Sequence, residues 1–177
     1  MKKGYKYAIR VAIVIILLLL IVPIPIPINK TINTVEIKPD DKTYCVPVRI
    51  TINGTYIWRA IAADTFRGDI KLDTYELTQN NSLVQTKNIP ALTFQGSSAT
   101  LDYGEWMKSE IFGKINVKPF FRQFVIQVFE IDKNGGGSWT TDGGRCIVSN
   151  STNRDEAVKI IRTFSNDSLM PLPVNID

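Results

Sequence analysis

VPVRITINGTYIWRAIA, residues 46–62, decides the fold class. Val46, Val48, Ile50 and Ile52 alternate with Pro47, Arg49 and Thr51, and Asn53-Gly54 separates them from the segment Thr55 to Ala62. Apolar residues at every second position mark a half-buried strand. Asn-Gly between two such runs is the strongest short hairpin signal, because both residues accept the positive φ of a tight turn. A two-residue turn places Ile52 opposite Thr55, Ile50 opposite Ile57, Val48 opposite Arg59 and Val46 opposite Ile61, with Arg49 facing Trp58 on the other side. The first face is apolar and is the expected core face. Pro47 has no N–H to offer a neighbour and fits an edge strand or an outward-facing amide.

Downstream, the same reading predicts strands over Asp69 to Thr78, Leu83 to Ile89, Ala91 to Phe94, Ala99 to Tyr103, Ile111 to Val117, Phe121 to Ile131 and Arg145 to Ser149. Turn formers separate them, among them Asn80-Asn81-Ser82, Gly96-Ser97-Ser98 and Asn134 to Gly137. Phe121 to Ile131 is apolar on both faces and is expected to be a central strand. One helix is predicted over Arg154 to Phe164: Thr152 and Asn153 cap it, Asp155 and Glu156 favour the positive end of its dipole, and Ala157, Ile161 and Phe164 form one stripe. The expected fold is mainly β, an antiparallel β-sandwich or barrel-like domain with one C-terminal α-helix, preceded by an N-terminal transmembrane helix.

That last element is read from the beginning of the chain. The 177 residues carry a formal charge of +4, and Lys2, Lys3, Lys6 and Arg10 account for all of it. With the remainder neutral, no basic face for nucleic acid is expected. From Val11 the run VAIVIILLLLIV continues through Pro23, Pro25 and Pro27 to Ile28, giving 18 residues without charge. That length is just adequate for a membrane span, and the basic residues before it place the N-terminus in the cytoplasm and the rest outside. A cleaved signal peptide is the competing reading, without a small-x-small cleavage site to support it; a buried core helix is the third. The division that follows is 1–28 for a basic stub, anchor and Pro-rich exit, 29–42 for a linker, 43–168 for an extracytoplasmic β-rich domain with its helix, and 169–177 for a tail.

Candidate chemistry is sparse. The absence of His removes the usual zinc sets, the commonest general base and the ordinary serine triad. Cys45 and Cys146 are the only cysteines; a disulfide is expected between them in an oxidising compartment, against the alternative of two buried thiols. Asp102, Glu105 and Glu110, or Glu130, Asp132 and Asp142, are candidate carboxylate sets, although acids beside Gly, Asn and Ser are commonly solvated turn residues. No calcium-loop pattern is present, and NGGGSWTTDGG at 134–144 lacks the ending of a phosphate-binding loop. Within it Trp139 is the candidate binding contact. No catalytic, cofactor or metal residue is assigned. Sequons occur at Asn29, Asn53, Asn80, Asn150 and Asn166.

Phe66 to Ile70 (F-x-G-x-I), Tyr75 to Thr78, Phe124 to Ile126 through Glu130, and Asn153 to Ala157 occur in an order that resembles a group of small membrane-anchored or lipid-anchored extracytoplasmic proteins of Gram-positive bacteria. The resemblance implies a cell-envelope location and assigns no activity. The chain departs from lipid-anchored members in having no cysteine at the membrane exit. The expected function is that of a single-pass anchored binding or accessory module without enzymatic activity. Its expected contacts are the membrane and a protein or envelope partner. A structural subunit of an envelope complex and an anchored carboxylate hydrolase are the alternatives.

Overall fold

The computed structural model describes residues 7–15, 22–131, 137–138 and 144–165. After α1 (residues 7–15) come β1 (Ile24–Ile37), β2 (Cys45–Trp58), β3 (Thr65–Leu72), α2 (Glu76–Asn80), β4 (Leu92–Thr93), β5 (Ser98–Glu105), β6 (Lys108–Val117), β7 (Phe124–Val128), β8 (Glu130–Ile131), β9 (Gly137–Ser138), β10 (Arg145–Ser149) and α3 (Arg154–Ser165). Eight strands form one antiparallel sheet in the order β4-β3-β2-β1-β10-β7-β6-β5, while β8 and β9 make a separate ribbon. Chain neighbours are sheet neighbours within β1 to β4 and within β5 to β7, and the last strand returns to lie between β1 and β7. The sheet curls into a nearly closed barrel whose seam lies between β4 and β5.

Two devices close that seam. At one end the tight turn Gln95 to Ser98, closed by a Gln95↔Ser98 bridge, leads from β4 into β5. At the other, residues 82–84 lie against β5, with Val84 N–H donating to Asp102 O at 2.8 Å and Gly104 N–H to Ser82 O at 3.0 Å. Asp69 fastens this segment to β3 by accepting from Leu83 N–H at 2.8 Å, and the Tyr103 hydroxyl crosses the seam to Ile70 O. Leu83 to Ile89, expected as a strand, is therefore a lashing segment. Asp69 to Thr78 also divides, its first part belonging to β3 and its second to α2.

The 46–62 hairpin is corrected. Residues 45–58 are one uninterrupted strand, paired along its whole length with β1 and over 50–57 with β3. Both flanks of Asn53-Gly54 already have partners, so they do not fold upon each other. Gly54 is needed for a close approach: a Cβ there would stand 2.1 Å from Arg67 O and 2.8 Å from Gly68 Cα, and Phe66 fills the inward space beside it.

The partner of β2 is the stretch expected as a Pro-rich exit and linker. In an antiparallel ladder the bonding groups of successive residues turn alternately to the two sides. Arg49 and Asp73 exchange bonds at 2.9 and 3.1 Å, so odd-numbered residues of β2 face β3 and even-numbered ones face β1. By the same alternation Ile24, Ile26 and Ile28 bond β2, while Pro25 and Pro27 turn their missing N–H to the side where β10 reaches only Thr34–Ile37. The isoleucines point inward and the prolines outward. Pro47 meets its expectation, standing where β2 extends beyond β3. The uncharged run thus enters the sheet at Ile24. Among the described residues no helix is long and apolar enough to cross a membrane; α1 covers part of the expected span, and 16–21 lie outside the described residues.

The core is double. Inside the barrel pack Ile50, Ile52, Phe66, Ile70, Leu101, Phe124 and Ile126 among others. On the outer face of β1, β10 and β7, Val35, Ile37, Val125 and Val148 meet Ala157, Ile161 and Phe164 of α3, the stripe read from the sequence. This is why β7 is apolar on both faces. Asn153 Oδ1 accepts the Glu156 N–H at 3.0 Å and Glu156 accepts the Thr152 N–H at 2.8 Å, so the expected cap forms. At the barrel end where β1 begins, Phe120 and Phe121 sit at φ 62° and 52° in the 118–123 turn. Lys30 Nζ donates to their carbonyls at 2.9 and 3.4 Å, and the Phe121 ring lies edge-on to Phe66, 5.1 Å between centroids. Left-handed backbone costs such residues about 1–2 kcal/mol each, offset here by the aromatic packing.

Candidate functional site

At the opposite end, the barrel mouth holds a cavity of about 440 Å³ lined by Tyr75, Leu77, Phe112, Val128, Phe129, Glu110, Glu130 and Arg145 together with Ile111. Behind its lining residues Tyr75 and Arg145 stands a carboxylate placed by strand alternation. In Thr34-Val35-Glu36-Ile37 the apolar Val35 and Ile37 face outward under α3, so Glu36 faces in. It is 3% exposed. A carboxylate so deeply placed needs hydrogen bonds and a countercharge. It has both: Tyr44 Oη donates to Oε1 at 2.7 Å, Tyr75 Oη donates to Oε2, and Arg145 Nη1 lies 3.8 Å away.

Arg145 joins this buried carboxylate to the cavity rim. Its Nε is 3.7 Å from Glu130 Oε1, and its guanidinium lies over the Tyr75 ring, 5.6 Å from the centroid. Tyr75 in turn meets Phe112 edge-to-face at 4.8 Å. Burial, and next the bond to Glu36, push the Tyr44 phenol up to about 12. The same two causes raise Tyr75 further. Both remain protonated donors at neutral pH, so the site offers apolar walls, carboxylates and a guanidinium but no phenolate nucleophile.

Of the acids read from the sequence, Glu110 and Glu130 come from different sets and line the same cavity. Glu105 faces Lys108 at the β5–β6 tip, and Asp102 accepts from Ser109 Oγ at 3.1 Å. Asp132, Asp142 and Trp139 lie outside the described residues. Among the described residues no group of three metal-ligand side chains occurs.

The expected disulfide is corrected. Ile37 pairs with Cys45 on one side and with Cys146 on the other, so the cysteines are two strands apart. Two inter-strand spacings separate their Cα atoms by roughly 10 Å, beyond the roughly 7 Å that a bridge spans. Cys45 is exposed, Cys146 is buried, and each is a thiol.

Sequence reasoning missed Glu36, Tyr75 and Arg145. Glu36 sits between two β-branched residues that look like a core face, and only the helix on the outside reverses that assignment. Arg145 carried a usable signal: a lone charge opening the apolar run Cys146 to Val148. The β5–β6 hairpin was also missed as a surface, although it exposes Trp106 by 57% and Met107 by 88%. Comparisons with protein-family models, with curated proteins and with solved structures return no match, and the site is read from its own geometry.

Proposed function

We propose that the chain is a single-pass anchored, extracytoplasmic binding module, and that its ligand is a small amphipathic molecule with a cationic head, held at the barrel mouth. The observation that carries this is the 440 Å³ cavity with aromatic and aliphatic walls and two rim carboxylates. Its volume falls in the range of small-molecule sites. Glu36 and Glu130 share the half-buried Arg145 guanidinium, and with Glu110 the three carboxylates outnumber the one base, so the rim is negative. The basic stub before the apolar run supports a cytoplasmic N-terminus, in keeping with the group the sequence resembles. The module is read as a binder and not as an enzyme, since the inward charges neutralise one another and the phenols stay protonated.

Thermal melting with octylammonium and with octanoate, both below micelle-forming concentration, tests the ligand class. The amine should raise the melting temperature, and the double variant Glu110→Gln, Glu130→Gln should abolish the rise. A rise with octanoate alone would make Arg145 the recognition element, and no rise with either would remove the mouth as the site. The exposed Trp106–Met107 tip favours a second reading, a subunit of an envelope complex docked through this hairpin. Crosslinking of native membranes through position 106 distinguishes the two, because only a subunit yields a stoichiometric adduct.

A further inference from the structure

We infer that the barrel end at which β1 begins rests on an anionic bilayer surface, with the 59–64 loop and the 118–123 turn among the headgroups. This rests on the anchored reading and adds a second membrane contact to it. Chain continuity is the first support. Pro23 alone separates Val22, the last residue of VAIVIILLLLIV, from the first residue of β1, so no tether lets the barrel stand away from the membrane.

The pairing of the first residues of β1 gives the second. Ile24 and Pro25, next to the apolar run, pair with Trp58 and Ile57, so the end of β2 stands at the same level. Trp58 packs against the barrel core and is half-buried at that level, and tryptophan is the residue type that interfaces favour.

Charge and exposure agree. The loop that leaves Trp58 carries Arg59 and presents Ile61, 75% exposed, while the neighbouring turn carries Lys118 and exposed Arg122. The turn belongs to this end, since the Phe120 ring lies 5.3 Å from that of Tyr56 and Tyr56 Oη donates to Asp64 at 2.6 Å. Asp64 is the acid of the loop, and it is occupied by Tyr56 and by the Arg59 N–H at 2.8 Å. The opposite mouth carries Glu36, Glu105, Glu110 and Glu130 against Lys108 and Arg145. A barrel basic at its anchored end and acidic at its free end is oriented by anionic lipid.

Full-length protein reconstituted in vesicles of phosphatidylglycerol and brominated phosphatidylcholine provides the test, with two single-tryptophan forms. Trp58 emission (Trp106→Phe, Trp139→Phe) should fall about twofold against unbrominated lipid, while Trp106 emission (Trp58→Phe, Trp139→Phe) should not change. Ile61→Asp with Arg122→Glu, both exposed positions, should restore Trp58 emission without releasing the protein from the vesicles. Flotation with the vesicles but no Trp58 quenching would overturn the seating and leave the anchor standing. Quenching that survives the double variant would also overturn it, making proximity to the tether the whole cause. Loss of the protein from the vesicles on carbonate washing would defeat anchor and seating together.

Discussion

A methyl group at position 54 would press into the backbone of β3, with its nearest contact, Arg67 O, at 2.1 Å. Backbone cannot swing aside as a flexible side chain does, so the strands must part. Gly54→Ala is expected to cost about 3 kcal/mol or more, the upper range for overpacking. Gly96→Ala, at φ +64° with nothing within 4 Å, should cost only the roughly 1 kcal/mol of left-handed backbone. Urea melts of the two variants make the comparison, and equal losses would show that close approach is not what glycine supplies at 54. At this scale the sequence was legible in part. Asn53-Gly54 signalled that glycine mattered there, but a turn and a close strand crossing ask for the same residue, and only the partners on each side separate them. Cys45 and Cys146 were misjudged because a lone pair says nothing about the strand between them.

Among the elements, β10 and α3 were the most legible. Gly143-Gly144 before the one and the Thr152-Asn153 cap before the other are local punctuation, and local signals survive without tertiary information. The first strand was illegible for the opposite reason. Proline at alternate positions excludes a central strand paired on both sides, and it is tolerated here because one side of β1 is paired and the other is free of strand over 24–33. The prolines also guard the start of that free side, since an edge missing two of its donors is a poorer template for a second chain. Pro25→Val with Pro27→Val restores two outward N–H groups and should leave the fold intact while producing concentration-dependent association, measured by light scattering. A variant that stays monomeric at high concentration would show that other parts of the chain protect this edge.

The whole molecule depends on phenol groups at both ends and across the seam. Burial raises Tyr56 and Tyr103 above the ordinary phenol value, as it does Tyr44 and Tyr75. A phenol that holds its proton more tightly in the folded state contributes stability that is complete below about pH 10. It is then lost as pH rises, for Tyr44 through about 12. The melting temperature should therefore be flat through mildly alkaline pH and fall steeply above about 10, with phenolate absorbance appearing together with unfolding. Complete titration near pH 10 in the folded protein would contradict the burial of these rings. Barrel closure was less legible than strand number, because the 82–87 lash is held by Asp69, Gln85 and Arg67 and not by any strand pattern. The continuous ladder through β2 also governs how the protein ages. Asn-Gly is the dipeptide at which a backbone nitrogen most readily attacks the preceding side-chain amide, expelling ammonia and closing a succinimide. Asn53 is exposed, yet the extended strand holds the Gly54 nitrogen away from that carbonyl carbon and commits it to β1. Deamidation at this bond is therefore a clock that runs only while the barrel is open, and the modified fraction records the time each molecule has spent unfolded.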